Sequence, residues 1–429
     1  MQKQVFLNRI RQVQAKLQEG ELLLLYGAGE KIRNRDVEYK FRQESNFYYL
    51  SGHDEPDAIF VLKRDYSAMF VLPRDKSQEI WTGTRVGKKK IKKDLELSEA
   101  FELKDWKKKR ESLLTNVHTL YYFFGESQER DLEVLETCKV LNRRLRDGKI
   151  APERLVSPYF LHEMRLRKSE DELQCIREAV RVTAEGHIQL FKYSKEGMYE
   201  YELEAMLENS YKRNGAWGGG YGHIVASGAN ATILHYTKNN AKLKKGQLVL
   251  VDSGAEKNYY TADVTRVFPV DKAFSTAQRE LYSLVLEAQK KAIQLCKEGT
   301  KFLEVHEETK KNLIRGMKDL KLLKGSMDEI IEKKSYERYY MHKTGHWLGM
   351  DVHDVGKYYI DGESRAFENG MITTIEPGIY VDIQDKKAPK EFRGIGIRIE
   401  DNILINADTP TNLTESIPKE ISEIEDLRS

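Results

Sequence analysis

The 429-residue sequence predicts an α+β chain of two domains, residues 1–165 and 166–429. Two observations set this expectation. Up to about residue 160, short apolar runs bounded by Gly, Pro and Asp alternate with helical patterns, as in a mixed α/β unit. From Lys168 onward the order helix, helix, strands occurs twice, with no repeat at the level of residues. Such an order suits one large domain of two pseudo-two-fold halves with a site between them. The apolar fraction of 40% is enough for cores of this size.

In the first domain, residues 3–18 carry a polar helical pattern. Leu22–Tyr26, Phe47–Leu50, Ala58–Leu62 and Ala68–Leu72 read as short strands. Asp131–Arg146 reads as a helix stopped by Asp147-Gly148. The second domain opens on Ser169-Glu170-Asp171-Glu172, a capping box with Ser169 as N-cap and Glu172 three residues on. Leu173, Ile176, Val180, His187 and Phe191 follow at helical spacing. A second helix spans about Tyr199–Arg213, with Gly215 placed to end it. Strand patterns come next at His223–Ala226, Leu248–Val251 and Tyr260–Val270. Ser275 and Gln278 form another capping box, for a helix ending near Gly299, and Phe302–Met317 makes the next helix. Met371–Ile375, Ile379–Val381 and Gly394–Ile405 complete the order as strands.

Composition excludes several classes of function. Lys and Arg total 71 against 68 Asp and Glu, a net charge of +3, so no one-sided basic excess marks a nucleic-acid binder. Lys88–Lys93 and Lys107–Arg110 are locally basic, but Asp94, Glu96, Glu99, Glu102 and Asp105 sit among them, as on a solvated face. Three cysteines in this length are no disulfide framework. Apolar runs of four or five residues fall far short of the roughly 20 a membrane span needs. Without the apolar region of a signal peptide, a cytoplasmic protein with no membrane partner is expected.

Chemistry concentrates in acidic and histidine motifs. Leu248-Val249-Leu250-Val251-Asp252-Ser253-Gly254 precedes Tyr260-Thr261-Ala262-Asp263-Val264-Thr265-Arg266. A hairpin turning at Lys257-Asn258 would set Asp252 directly opposite Asp263 on one face. Two carboxylates about 5 Å apart repel by about 3 kcal/mol at an effective dielectric near 20, so the pair calls for a proton or a cation. Met341–Asp354 then packs His342, His346 and His353 into a segment whose Gly345 and Gly349 argue for a loop. Glu376 follows at a strand end beside Pro377-Gly378. In Gly394–Glu400, alternation puts Arg398 and Glu400 on the face of Gly394 and Gly396. Asp252, Asp263, His346, Glu376 and Glu400 together carry about four negative charges, which two divalent cations would neutralise. Oxygen-rich ligands with one imidazole suit Mn²⁺, with Zn²⁺, Co²⁺ or Fe²⁺ as alternatives.

In this order the motifs resemble those of the pita-bread metallopeptidases, and within them the Xaa-Pro aminopeptidases, with the Xaa-Pro dipeptidases close behind. The resemblance covers nearly the whole chain. Tyr39–Gly52 and Asp54-Glu55-Pro56 resemble the N-terminal domain of that group, and His162–Leu166 with Lys168-Ser169 its domain junction. It implies an aminopeptidase P-like domain over 1–165 and a catalytic pita-bread domain over 166–429. It also implies two metals: one on Asp252 and Asp263, the other on Asp263, His346 and Glu376, with Glu400 and Asp263 bridging. A hydroxide between the metals would attack, and Glu376 would handle its proton. His353 would contact the substrate carbonyl, His235 would lie near the proline, and His342 would complete the pocket. Arg398 would orient acidic groups, and Trp81 would reach a neighbouring subunit's pocket. The implied activity is release of the N-terminal residue from peptides with proline at position two, by a homodimer or homotetramer. The alternatives are an Xaa-Pro dipeptidase and, further off, a non-catalytic peptide binder. Gly218–Gly220 departs from the family pattern and is expected to make a flexible pocket wall.

Overall fold

A computed structural model describes residues 2–429. The chain forms two compact units, one ending at His162 and the other running from Glu163 to Ser429.

The first unit is built on a six-stranded mixed sheet. Its centre is antiparallel, with Glu21–Tyr26 beside Ile59–Lys63 and Tyr66–Val71 outside that. Glu99–Glu102 extends one edge in parallel, and Thr119–Tyr121 then Arg154–Val156 extend the other. Leu22, Leu24, Val61, Phe70 and Leu120 bury their side chains with Trp106 from a covering helix. Phe47–Leu50 departs from its expected strand: Ser45–Ser51 is a helix. The Glu44 carboxylate accepts from the amides of Asn46 and Phe47, and Gly52 ends the turn in the left-handed region at φ 59°. A cap at each end overrides the β propensity of an aromatic run. In the basic stretch, Lys88 and Lys104 pair with Glu102, and Lys90 pairs with Asp94.

The second unit repeats helix, helix, strands as expected. Helix Glu170–Tyr193 packs on Glu200–Arg213, and Thr276–Leu295 packs on Phe302–Asp319. Both capping boxes form, at Ser169 with Glu172 and at Ser275 with Gln278. One three-stranded sheet joins Ile224–Ser227, Leu248–Asp252 and Thr265–Pro269. Another joins Ile372–Ile375, Asp401–Leu404 and Thr411–Asn412, and Gly378–Val381 pairs with Ile395–Arg398. The continuous runs Leu248–Val251 and Ile372–Ile375 are buried throughout, so the polar residues that follow them emerge at strand ends inside the protein. Among the described residues, no helix is long and apolar enough to cross a membrane.

Candidate metal centre

The strands deliver acidic side chains to the base of one cavity. Asp252 ends the buried strand Leu248–Asp252 and pairs with Ile224 on one side and Thr265 on the other. The expected register is corrected here. Asp252 faces Thr265 rather than Asp263, and the turn falls at Asn258-Tyr259, both with positive φ (53° and 68°). Asn tolerates that conformation in a two-residue turn, whereas Lys257 stays in the strand as the partner of Tyr260. The shift is by two residues, so Asp263 keeps to the face of Asp252. The Tyr221 hydroxyl lies 2.7 Å from Asp252 Oδ1 and 2.5 Å from Asp263 Oδ1, which ties the two carboxylates together.

The remaining groups close around this pair. His346 lies in a loop, as its flanking glycines imply, and its Nε2 is 3.3 Å from Asp263 Oδ2 and 3.4 Å from Glu376 Oε1. Its Nδ1 donates to the Trp347 carbonyl at 3.0 Å, which turns Nε2 toward the acids. Glu376 follows the strand Ile372–Ile375, and its amide donates to Thr344 O at 2.7 Å. Glu400 is buried where the expected long strand 394–405 breaks in two, and it accepts from Thr265 Oγ1 at 2.7 Å. Ligand atoms of Asp263, His346 and Glu400 all lie within 4.8 Å of one another.

Electrostatics sets the character of this cluster. Burial, then Asp263 and Asp252, raises the Glu376 carboxyl to about 7, against the opposing pull of His346 and Arg398. Burial and the charges of Asp263, Glu376 and Asp252 hold Glu400 well above the carboxylate range. Asp252 is raised by burial and by Asp263, although Arg398 opposes both. Burial disfavours the charged His346 ring, but the Asp263 hydrogen bond and the Glu376 charge outweigh it and lift the group to about 9. Four carboxylates thus share one buried site with a single guanidinium and one imidazole. That donor set fits divalent cations, which would offset the repulsion among the carboxylates.

A second set of residues aims the first. Arg398 donates to Asp252 Oδ2 at 2.7 Å, to Thr265 Oγ1 at 3.1 Å and to the Tyr380 hydroxyl at 2.9 Å. Because arginine only donates, the Tyr380 hydroxyl is left to donate to His342 Nε2, 2.9 Å away. His342 then carries its proton on Nδ1, which donates to Lys343 O at 2.7 Å. Burial and Arg398 push its pKa down to about 4, so the ring stays neutral. The Asn402 side chain accepts from the Asp263 amide at 3.1 Å and donates to the Asp263 carbonyl, gripping that residue's main chain from both sides.

The cavity above the cluster holds about 900 Å³ and is lined by every predicted metal-site residue together with His235, His342, His353 and Arg398. The His353 ring meets His346 edge-on at 4.4 Å between centroids. Trp81 sits on the short helix Lys76–Thr82 of the first unit, 85% exposed. Gly218 and Gly219 form a strand paired with Glu256 and Ala255, so they are not the expected flexible wall. Gly220 is held to its size instead, because a Cβ there would fall 2.1 Å from Thr261 Oγ1.

Sequence reasoning missed Tyr221, Thr265, Tyr380 and Asn402, as well as His306 and Lys343, which also line the cavity. Thr265 was within reach, since it lies two residues from Asp263 on the same strand face. Tyr221 hid behind its glycines, and Tyr380 and Asn402 gain meaning only through pairing between distant segments.

Residues 174–407 match metallopeptidase family M24, and residues 6–122 match the aminopeptidase P N-terminal domain. The chain is 39% identical to Xaa-Pro aminopeptidase of Haemophilus influenzae, over 99% of this chain and 97% of the relative. It is 38% identical to Xaa-Pro aminopeptidase of Escherichia coli, again over 99% and 97%. The solved structure of Pseudomonas aeruginosa aminopeptidase PepP superposes with a TM-score of 0.97 at 38% identity, covering 100% of this chain and 98% of that one. Zinc-substituted E. coli aminopeptidase P in complex with product superposes with a TM-score of 0.96 at 38% identity and the same coverage.

Proposed function

The chain belongs to metallopeptidase family M24 and carries an aminopeptidase P N-terminal domain, and from that premise we propose how its cavity works. It is a metal-dependent Xaa-Pro aminopeptidase of the two-domain pita-bread fold, releasing the N-terminal residue that precedes proline. The finer reading is that Asp252, Asp263, His346, Glu376 and Glu400 hold two divalent ions, Mn²⁺ by ligand chemistry, with residues 166–429 as the catalytic domain. One observation carries it: four carboxylates and an imidazole converge in one buried site, where burial and mutual repulsion push Asp252, Glu376 and Glu400 toward protonation.

Asp252 and Asp263 would hold one ion, and Asp263, His346 and Glu376 the other, with Glu400 shared. When bound, such a pair supplies an acidified water and Lewis-acid polarisation of the scissile carbonyl. The protein's own groups do the rest. Glu376 takes the proton of the attacking water and delivers it to the proline nitrogen as the carbon–nitrogen bond breaks. That delivery matters because a prolyl nitrogen carries no hydrogen of its own in the peptide. His353 donates toward the carbonyl oxygen as negative charge develops on it. His342, fixed as its Nδ1–H tautomer, and His235 wall the proline ring. Arg398 holds Asp252 in place while balancing part of the acidic charge.

A cavity of about 900 Å³ lies toward the upper end of the roughly 300–1,000 Å³ typical of small-ligand sites, which supports peptides longer than a dipeptide. Trp81 and a homodimer or homotetramer belong to the same proposal, because an exposed indole is available to a neighbouring subunit. The test pairs metal analysis with activity. The chain freed of metal and reloaded with Mn²⁺ should retain two ions and cleave Xaa-Pro-Yaa peptides. Retention of a single ion at full activity would refute the paired site, and cleavage confined to Xaa-Pro dipeptides would refute the substrate length.

A further inference from the structure

Arg165 and Lys168 lie outside the cavity lining, in the junction segment, yet both reach the loop that supplies two of its histidines. Arg165, in the helix Tyr159–Leu166, places Nη2 2.5 Å from Asp354 Oδ1 and 2.7 Å from Asp351 Oδ2. Lys168 Nζ lies 3.0 Å from Asp354 Oδ2. The side chains of Arg165, Lys168 and Asp354 are 1%, 0% and 1% exposed, so three charges are withdrawn from water around one carboxylate. The Asp354 amide donates to Trp347 O at 2.9 Å, which closes the segment between them into a compact loop. Gly349 packs directly on the ion cluster: a Cβ there would fall 2.0 Å from Asp354 Oδ2 and 2.9 Å from Lys168 Cε.

His353 immediately precedes Asp354. Among the described residues its imidazole makes no hydrogen bond, and its ring contact is with His346. A side chain without a hydrogen-bond partner takes its place from its backbone, and this backbone is anchored one residue away by two buried cations. Stability alone is a weak explanation for the cluster, since apolar side chains of similar volume often serve as well as or better than a buried ion pair.

We infer that Arg165 and Lys168 are positioning residues for the peptidase reaction, acting through Asp354 to hold the His353 imidazole beside His346 at the ligand cluster. The inference rests on the reading of His353 as a group that touches the substrate carbonyl.

The experiment is a double-mutant cycle on the full-length, Mn²⁺-loaded enzyme with an Xaa-Pro-Yaa substrate. Lys168→Met keeps the stem and removes one cation, and Arg165→Lys keeps charge but loses the two-carboxylate span. Asp354→Asn is the stronger variant, and if it fails to fold the other two carry the test. Each is expected to lower kcat by 10- to 100-fold with KM within two-fold, at unchanged metal content. In the His353→Ala background the same substitutions should change kcat by less than two-fold, because nothing is left to position. Equal losses in both backgrounds would show a general structural role and overturn the inference, as would a parental kcat in the single variants. If His353→Ala itself keeps parental kcat, the reading of His353 fails and this inference falls with it. An impaired His353→Ala with additive losses sinks the positioning role alone.

Discussion

Replacing Glu376 by Gln should destroy the peptidase while making the metal-free protein more stable. The Glu376 carboxyl is raised from 4.5 to about 7 by burial and by the neighbouring Asp263 and Asp252. A group whose folded pKa exceeds its unfolded one favours the native state below the unfolded value, and that advantage is lost as pH rises through the folded value. Above pH 7, the folded protein therefore bears the strain of the ionised group. At 1.36 kcal/mol per pH unit over the interval from 4.5 to about 7, the strain is about 3 kcal/mol. Gln cannot ionise, and its carbonyl still accepts from Thr374 Oγ1, 3.2 Å from Glu376 Oε1. At roughly 2–4 °C per kcal/mol for domains of about 150–250 residues, Glu376→Gln should melt roughly 6–12 °C above the parent in EDTA at pH 8. The gap should close as pH falls from 7 toward 4.5. With Mn²⁺ added the order should reverse, because the parent gains binding free energy that the variant has forfeited. The assay is thermal unfolding across pH with and without metal. A variant less stable than the parent in EDTA at pH 8, or a gap that ignores pH, would refute the account of a site strained by its own charge.

Three further outcomes are expected. Asp263→Asn, which alters the acid shared by the proposed ions, should leave less than a tenth of the metal content by elemental analysis and no measurable turnover. Tyr380→Phe should remove one of the two contacts that orient the His342 ring and one partner of Arg398. It should lower kcat about ten-fold, on the scale of about 1.4 kcal/mol per decade, and lower the melting temperature by several degrees, because the groups of buried Arg398 and half-buried His342 that it leaves unpaired cost about 1–3 kcal/mol. Gly396→Ala puts a Cβ 2.0 Å from Ala231 O and 2.4 Å from its carbonyl carbon, against backbone that has little room to retreat. Chemical denaturation should show a loss of at least about 1–3 kcal/mol.

The cavity floor was legible because its acidic residues follow short apolar runs that read as strands, which places Asp252 and Glu376 at strand ends. Glu400 and Arg398 were legible from strict alternation, although the strand that carries them breaks at the site. The hairpin register was misjudged by two residues because backbone conformation at Asn258-Tyr259, rather than composition, chose the turn. The helix Ser45–Ser51 was misread because Phe47-Tyr48-Tyr49-Leu50 favours strands locally, whereas the deciding cap lies outside that run at Glu44. Tyr221 and Asn402 were invisible for a different reason. Each acts on residues 31 to 139 positions away, and no local pattern encodes such a meeting.

The register of the 252–263 hairpin also governs how its length can vary between relatives. Adding two residues at the Asn258-Tyr259 turn would extend the ladder by one rung and leave every existing pair, and the side of the sheet bearing Asp263, as it was. Adding one residue would turn Asp263 to the opposite side or force a bulge between the two aspartates. Odd insertions in this hairpin should therefore be accompanied by a bulge or a longer turn that absorbs the extra residue, whereas even ones need neither, a parity imposed by the alternation of a strand.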